Sequence, residues 1–353
     1  MNHGFYDLMS VVLSELAKNY QPLAIESFIQ TLYGKKITSK FKRLILNLKN
    51  AVSNEIYKIF RYNFIEVFRH LEELLFYDFQ IMPSEIEIIK KNISELENLH
   101  TIKLINNFLE AANDISGFLS PKNLRYLKIS DNILSINHLK KFSEKIKSSN
   151  IEKLTLKNTS SMKYSNPEHF FTRLIEAIGC SSLKILKVYI KYTQSLLDII
   201  ISRLNNFPNL EYLGLSIDND YKSCENSIKN LISIVKNRIN KLCVIKINKY
   251  AWDIEKIKEE KDVKVADRKL CPGDLMVLAE LCEQKIIENI SSVDLSENAD
   301  IVDENFPENI IRVIKTSGCA SVYLKNSNCD VKNKKEIKRL LKETGFSEVR
   351  VII

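Results

Sequence analysis

One apolar pattern recurs along most of the chain and limits how it can fold. In residues 123–135, NLRYLKISDNILS, the apolar Leu127 and Ile129 alternate with Tyr126 and Lys128. Residues two apart on a β-strand point to the same side, so this spacing predicts a strand with one buried side.

Ten copies of the pattern begin at Leu71, Leu99, Leu124, Ile151, Leu183, Leu210, Leu242, Ile290, Cys319 and Phe346. Their spacing is nearly constant, except for a much longer gap between the seventh copy and the eighth. Such spacing is typical of a repeat protein whose units pack on their neighbours.

Two copies, in residues 99–109 and 124–134, carry the longer sequence L-x-x-L-x-L-x-x-N-x-L. From these residues the chain resembles the leucine-rich repeat family, and its repeat length is closest to the long, ribonuclease-inhibitor-like class. The resemblance covers roughly residues 70 to 353. It implies an α/β fold, a curved horseshoe solenoid with parallel strands on its concave face and helices on its convex face. It also implies that Asn132 bonds the exposed backbone of the turn after its strand. The copy from Leu183 has Lys191 instead, so we expect a less regular turn there.

Between the strands, the apolar spacing changes to that of a helix. In residues 166–179, NPEHFFTRLIEAIG, Asn166 suits a helix cap, Pro167 a first turn and Gly179 an end. Its apolar stripe is Phe171, Leu174, Ile175 and Ile178; similar stripes are Leu139, Phe142 and Ile146, then Leu275, Leu278 and Cys282, and finally Ile337, Leu340 and Leu341 before Gly345. The sequence therefore predicts a solenoid of about ten strand-and-helix repeats over residues 66–353.

The longest gap between copies predicts an irregular segment at residues 249–289. This segment holds the only tryptophan, Trp252, and the charged run DIEKIKEEKDVKV. It contains either one degenerate strand near Val263 and Val265 or a surface insertion.

Residues 1–65 do not keep the repeat pattern and predict a helical N-terminal cap. Two short amphipathic helices are indicated by Leu8, Val11, Val12 and Leu16, and by Ile25, Ile29 and Leu32. They are either the plug for the open end of a solenoid core or an independent partner-binding helix pair. A basic run follows, with Lys35, Lys36, Lys40, Lys42 and Arg43; it is interpreted as a solvated face, or as a contact for an anionic partner.

The chain lacks the usual motifs of catalysis, metal binding and nucleotide binding. It has no HExxH, no GxxxxGK[ST], no GxGxxG, no GxSxG and no CxxC pair. Its five histidines are scattered, and Cys319 occupies an apolar position of a repeat. Asp294 and Glu297 could act together only in a cleft, which a solenoid strand face rarely makes. We therefore predict no catalytic residues, no metal site and no cofactor, hence a protein that is not an enzyme.

Cysteine usage and hydropathy indicate an intracellular, cytoplasmic protein. The seven cysteines are an odd number without paired spacing, which predicts reduced and mostly buried thiols. The N-terminal stretch MNHGFYDLMSVVLSELAKNY interrupts its apolar residues with Asp7, Ser10 and Glu15, so it makes a poor signal peptide. No stretch approaches eighteen uninterrupted apolar residues, so no membrane span is expected.

The residues that alternate with the buried ones should face the concave surface. In six successive repeats from Leu99, these 18 positions include six lysines and no acidic residue. They also include three tyrosines, whose large, stiff side chains often anchor interfaces. The predicted partner-binding residues are Lys103, Tyr126, Lys128, Lys153, Lys157, Lys187, Tyr189, Tyr212 and Lys246. Of these, Lys103, Lys128, Lys187 and Lys246 should form the middle column of the concave face. The C-terminal repeats differ, with Asp294 and Glu348 on the same face.

Three classes of function fit these features. The first is a non-catalytic scaffold that binds a protein partner with an acidic surface on the lysine- and tyrosine-lined face. The second is an RNA- or ribonucleoprotein-associated protein, which the net charge of +8 and the mix of lysine and tyrosine would suit. The third is a regulator of a small GTPase, because long repeats also resemble the Ran GTPase-activating family. None of the early arginines, Arg43, Arg61, Arg69 and Arg125, lies in a matching motif, so no catalytic role is carried over.

Overall fold

The structure is a computed structural model, and it describes most of the repeat region. The described residues are 41–47, 64–78, 83–107, 115–132, 136–157, 182–189, 194–215, 223–238, 241–247 and 249–352, with the single residues 27, 30, 31, 60, 175 and 178. The chain forms two compact units. Unit 1 is Met1–Leu186 with Asn205–Phe207, and unit 2 is Lys187–Leu204 with Pro208–Ile353.

Parallel strands taken in chain order build the sheet of unit 1. They are β1 (Arg43–Asn47), β2 (Glu73–Tyr77), β3 (Thr101–Ile105), β4 (Tyr126–Ser130) and β5 (Lys153–Lys157). Each pairs with the next in parallel register. A further strand, β6 (Ile185–Tyr189), spans the boundary between the units. The copies that begin at Leu71, Leu99, Leu124 and Ile151 therefore each supply a strand, as the apolar pattern predicts.

The helices of unit 1 follow the strands as the change of spacing predicts. They are α1 (Phe64–Phe68), α2 (Pro83–Ser94) and α3 (Ile136–Lys147), with a 3₁₀ turn at Ile115–Leu119. Phe142 and Ile146 of α3 are buried. Of the predicted helix at 166–179, only Ile175 and Ile178 lie within the described residues, and both are helical and buried.

The N-terminal region contributes a strand that the sequence analysis did not predict. Arg43–Asn47 forms β1 and pairs with β2, so the parallel sheet begins before residue 65. The predicted helices near Leu8 and Ile25, and Lys35, Lys36 and Lys40 of the basic run, lie outside the described residues. The helical cap stays a prediction.

The first sheet continues to β9, and its last strand is antiparallel. β7 (Tyr212–Leu215) and β8 (Val244–Ile247) are parallel, and β9 (Tyr250–Asp253) runs antiparallel to β8. Only two residues separate β8 from β9, which suffices for an antiparallel hairpin but not for a parallel crossover. Trp252 on β9 is fully buried, with its ring 4.7 Å from that of Tyr250. The helices of this part are α4 (Gln194–Arg203), a 3₁₀ turn at Leu204–Asn206, α5 (Glu225–Lys236) and α6 (Ile254–Glu260).

The rest of unit 2 contains a second parallel sheet. Its strands are β10 (Asp262–Lys264), β11 (Ser292–Asp294), β12 (Ser321–Tyr323) and β13 (Arg350–Ile352), paired in that order. Between them lie α7 (Pro272–Glu283), a 3₁₀ turn at Ala299–Ile301, α8 (Phe306–Ser317) and α9 (Val331–Glu343). β10 contains Val263, so the irregular segment holds the predicted degenerate strand. Gly345, predicted to stop the last helix, follows α9 with φ 79°.

Buried asparagines fix the turns that follow some of the strands. The Asn132 side chain donates to the carbonyl oxygens of Leu104 at 2.8 Å and Ser130 at 2.9 Å, and accepts from the Asn107 backbone N–H at 2.8 Å. Asn107 in turn donates to the Phe76 carbonyl oxygen at 3.1 Å. These contacts confirm the role that the family resemblance assigns to Asn132, because they satisfy backbone groups that the end of each strand leaves open.

The alternation of burial along β4 yields a first prediction. Leu127 is fully buried and Lys128 is partly exposed. We expect Leu127→Ala to lower the free energy of unfolding of unit 1 by about 3 kcal/mol, because it removes buried methyl groups and leaves a cavity. Lys128→Ala should cost less than about 0.5 kcal/mol. Urea denaturation followed by far-ultraviolet circular dichroism compares the two, and equal losses would mean that the strand register is shifted by one residue.

Candidate functional site

The strand register of unit 1 brings five of the predicted residues onto three adjacent strands. Lys103 on β3 is the direct neighbour of Lys128 on β4. Tyr126 is likewise opposite Lys153, and Lys157 is opposite Ser130, on β5. Neighbouring strands lie about 4.8 Å apart, so these side chains form one surface. We call Lys103, Tyr126, Lys128, Lys153 and Lys157 the lysine face.

Tyr126 contacts two lysines of the lysine face. The ammonium of Lys153 is 4.2 Å from the centroid of its ring, and that of Lys103 is 5.8 Å from it. Both distances fall within the range of cation–π attraction, which holds the two ammonium groups against the ring. The register explains this arrangement, because β3 and β5 flank β4 on its two sides.

An acidic residue that the sequence analysis missed lies at one edge of the lysine face. Glu73 on β2 forms an ion pair with Lys103, and its other carboxylate oxygen is 3.0 Å from Nε of Arg43 on β1. The side chains of Glu73 and Lys103 are only 20% and 22% exposed, so the pair is largely shielded from water. Glu73 occupies a face position of the repeat from Leu71, which precedes the six repeats whose face positions hold no acidic residue.

The other three lysines of the lysine face have no acidic partner among the described residues. Among the described residues, no carboxylate oxygen lies within 4.0 Å of Lys128, Lys153 or Lys157. Lys157 is exposed, while Lys128 and Lys153 are partly exposed. Their positive charge is therefore available to an anionic group that approaches Tyr126.

Not every residue that alternates with the buried ones reaches the surface. Thr101, Ser130 and Thr155 were expected to face solvent, but they are 7%, 2% and 5% exposed. Their side chains are short and lie beside longer neighbours, such as Tyr126 next to Thr101 and Lys128 next to Thr155. The lysines and Tyr126 therefore form the outer layer of this face, and the expectation was wrong for the small residues.

Unit 2 holds a second group of predicted residues, arranged around a glycine. A Cβ atom on Gly214 would lie 3.0 Å from Cε1 of Tyr212 and 3.1 Å from the hydroxyl oxygen of Tyr189. The ammonium of Lys187 is 4.6 Å from the Tyr212 ring centroid, and that of Lys246 is 5.7 Å from the Tyr189 ring centroid. Gly214 was predicted to be exposed, but it is buried because these rings fill the space that its missing side chain leaves.

Burial also affects the chemistry of this second group. It raises the pKa of the Tyr212 phenol, and the hydrogen bond between Tyr212 and Tyr189 lowers that pKa by a smaller amount. Both aromatic rings already have a cation within the range of cation–π attraction. The lysines and tyrosines of this group thus bind one another more than those of the lysine face do.

The strand register places three of the four lysines predicted as the middle column. Lys103 and Lys128 are strand neighbours in unit 1, and Lys246 is opposite Gly214 in unit 2.

The second sheet of unit 2 presents a mixed face, as expected for the C-terminal repeats. The Ser292 hydroxyl donates to the Asp262 carboxylate at 2.7 Å, and this bond lowers the pKa of Asp262. Asp294 accepts a hydrogen bond from the Ser296 backbone N–H at 3.0 Å, so its carboxylate has a structural contact. Glu348 is exposed just before β13.

The described residues include six free cysteines, and four of them are buried: Cys224, Cys282, Cys319 and Cys329. Burial raises the pKa of Cys271 to about 11 and that of Cys282 to about 12, so both stay protonated at neutral pH.

The part of the chain that the structure describes contains no group of three or more His, Cys, Asp or Glu side chains suited to a metal ion. None of its helices is long and apolar enough to cross a membrane.

Comparisons with known proteins give no family assignment. No protein-family model matches the sequence, and no curated protein matches it. Among solved structures, the chain is similar to that described as "Rad7 and Elc1 complex in yeast", with 13% identity, a TM-score of 0.38, and coverage of 95% of this chain and 86% of that one. It is also similar to an internalin (inlF) from Listeria monocytogenes, with 12% identity, a TM-score of 0.30, and coverage of 94% and 92%. What the structure itself defines is a repeated α/β protein with parallel strands and a lysine-rich surface that includes Tyr126.

Proposed function

We propose that this chain is a non-catalytic leucine-rich repeat scaffold that binds a protein partner through an acidic segment. The observation that carries the proposal is the set of three lysines, Lys128, Lys153 and Lys157, on the same face of two neighbouring strands as Tyr126 and without acidic partners among the described residues. A carboxylate that meets these ammonium groups gains charge-assisted contacts, while Tyr126 supplies a large apolar surface.

The chemistry of the face favours a protein partner over a nucleic acid. A nucleic-acid surface usually offers several arginines or stacked aromatic rings along a strand. On the lysine face there is one tyrosine, and lysine ammonium groups lie 4.2 and 5.8 Å from the centroid of its ring. A base that stacks on this ring would compete with these cation–π contacts, whereas a carboxylate can bind the lysines without displacing them from the ring.

The experiment that tests this proposal compares two charge-reversal variants of the full chain. The site variant replaces Lys128, Lys153 and Lys157 by Glu. The control variant replaces Lys91, Lys145 and Lys147, which are exposed on α2 and α3, by Glu, so that both variants have the same net charge. Binding of fluorescently labelled poly-L-glutamate, which stands in for an acidic segment, is measured by anisotropy at low salt.

We expect the site variant to bind poly-L-glutamate at least about tenfold more weakly than the wild type, because each exposed ion pair contributes about 0.2–1 kcal/mol and three are reversed. The control variant should bind like the wild type. Equal weakening in both variants would show a non-specific charge effect and overturn the proposal. Tighter binding of a single-stranded RNA of equal charge, with a steep salt dependence, would instead assign a nucleic-acid partner.

A further inference from the structure

Glu73 occupies the edge of the lysine face in the way that a partner's carboxylate would. One of its oxygens pairs with Lys103 and the other is 3.0 Å from Arg43, so two cations from the flanking strands β1 and β3 hold one carboxylate. The register sets this geometry, because Glu73 is opposite Arg43 on one side and Thr101 on the other, two residues before Lys103.

This contact divides the lysines of the face into two kinds. Lys103 is paired with Glu73, while its strand neighbour Lys128 has no carboxylate within 4.0 Å among the residues that the structure describes. Lys103 and Lys128 therefore occupy equivalent positions of neighbouring repeats but differ in whether their charge is free to bind a carboxylate of a ligand. Binding an external carboxylate at Lys103 would first require the release of Glu73, whereas binding at Lys128 would not.

We propose that Glu73 is a built-in competitor that sets the boundary of the partner's footprint. It excludes an acidic partner from Lys103 and Arg43 and directs it to Lys128, Lys153 and Lys157. Glu73 is thus a residue that determines specificity, since it limits how many acidic groups of one partner the face can hold. This inference rests on the proposed function, because it concerns the same acidic ligand and the same face.

The main test is the neutral, isosteric substitution Glu73→Gln in the full chain. It should raise the affinity for labelled poly-L-glutamate by about three- to tenfold at low salt, because two cations become available and each exposed ion pair contributes modestly. The salt dependence of binding should also become steeper. The matched control is Glu72→Gln, which removes the same charge from the neighbouring residue. Glu72 pairs with Lys42 at 2.8 Å and does not contact Lys103. An equal gain from Glu72→Gln, or no gain from Glu73→Gln, would overturn the inference.

A comparison of single and double variants distinguishes an increase in affinity caused by freeing Lys103 from one caused by a change in folding. In the wild type, Lys103→Met should weaken poly-L-glutamate binding much less than Lys128→Met, because Lys103 is already engaged. In the Glu73→Gln background, the two substitutions should weaken binding to a similar extent. Equal effects in the wild type would contradict the competitor role, and circular dichroism of each variant checks that it is folded.

The two proposals fail in different ways. If wild-type protein does not bind poly-L-glutamate, or if Lys128→Met leaves binding unchanged, the proposed function fails. If the wild type binds and Lys128→Met weakens that binding, but Glu73→Gln has no effect, only the role of Glu73 is lost.

Discussion

Replacing Arg312 by Ala is expected to lower the free energy of unfolding of unit 2 by about 3–5 kcal/mol, because it leaves a buried carboxylate without its cation. Arg312 on α8 donates to Glu280 at 2.8 Å and to both carboxylate oxygens of Glu283 at 2.7 Å, and both partners lie on α7. The Glu280 side chain is only 4% exposed. Its remaining hydrogen bond, from Gln284 at 2.8 Å, is neutral and cannot replace the guanidinium.

The measurement is urea denaturation followed by the fluorescence of Trp252. This residue is the only tryptophan of the chain and is buried in unit 2, so its signal reports on the unit that contains Arg312. The matched control is Arg339→Ala. Arg339 also pairs with two glutamates, Glu336 and Glu343, but it does so on the exposed side of α9. Exposed pairs contribute little, so the denaturation midpoint of the control should hardly change. Similar losses in both variants would show that the burial of Glu280 is not what makes Arg312 important.

The ion-pair cluster of Arg312, Glu280 and Glu283 should also make the stability of the protein depend on pH. The hydrogen bonds from Arg312 hold the pKa of Glu283 below its usual range. A carboxylate with a lowered folded pKa contributes stability above its unfolded pKa, and this contribution is lost as the pH falls through the folded value. We therefore expect wild-type protein to lose more stability than Arg312→Ala on acidification. Parallel losses in the two proteins would contradict this coupling.

The apolar repeat predicted most of the strands, since alternation at Leu127 and Ile129 reflects burial on one side of the sheet. For the irregular segment it gave a strand near Val263 as one of two alternatives, and β10 lies there. It missed β1, although Phe41, Leu44 and Leu46 have the same apolar spacing as the other copies and are all buried. It also missed β9. That strand runs antiparallel to β8, and the direction of a strand depends on the length of its connection and not on its apolar spacing.

The candidate site was harder to predict than the strands. Alternation gives the face on which Lys103 lies, but not whether a neighbouring strand supplies a counter-charge. Glu73 belongs to the preceding repeat of the sequence, and only the pairing of β2 with β3 brings it to Lys103. Gly214 illustrates the same limit, because its role depends on two tyrosine rings whose positions the sequence does not specify. Side-chain contacts between repeats therefore need the structure.

Replacing Asn298 by Ala is the second substitution with a large expected effect. Asn298 is fully buried after β11, and its side chain makes five hydrogen bonds to the backbone. Its amide donates to the carbonyl oxygens of Val265, Leu295 and Ser296 at 2.9, 2.9 and 3.0 Å. Its carbonyl oxygen accepts from the N–H groups of Arg268 and Leu270 at 3.1 and 3.0 Å. Each buried polar group left without a partner costs about 1–3 kcal/mol, and water can satisfy some of them. We expect a total loss of about 3–5 kcal/mol in the Trp252 denaturation experiment.

Two further variants identify what Asn298 contributes. Asn333→Ala, on the surface of α9, should change the unfolding free energy by less than about 0.5 kcal/mol, because the Asn333 side chain makes no hydrogen bond to the described residues.

Asn298→Asp keeps an oxygen that accepts from Arg268 and Leu270 but loses the amide, so its second oxygen faces the three carbonyl oxygens that the amide had bonded. This repulsion should raise the folded-state pKa of the new carboxyl group above its unfolded value. The variant should therefore be less stable than wild type at neutral pH and recover stability, relative to wild type, as the pH falls through that raised pKa and the carboxyl group gains a proton to donate. A loss that does not depend on pH would mean that the three carbonyl oxygens do not need a donor from residue 298.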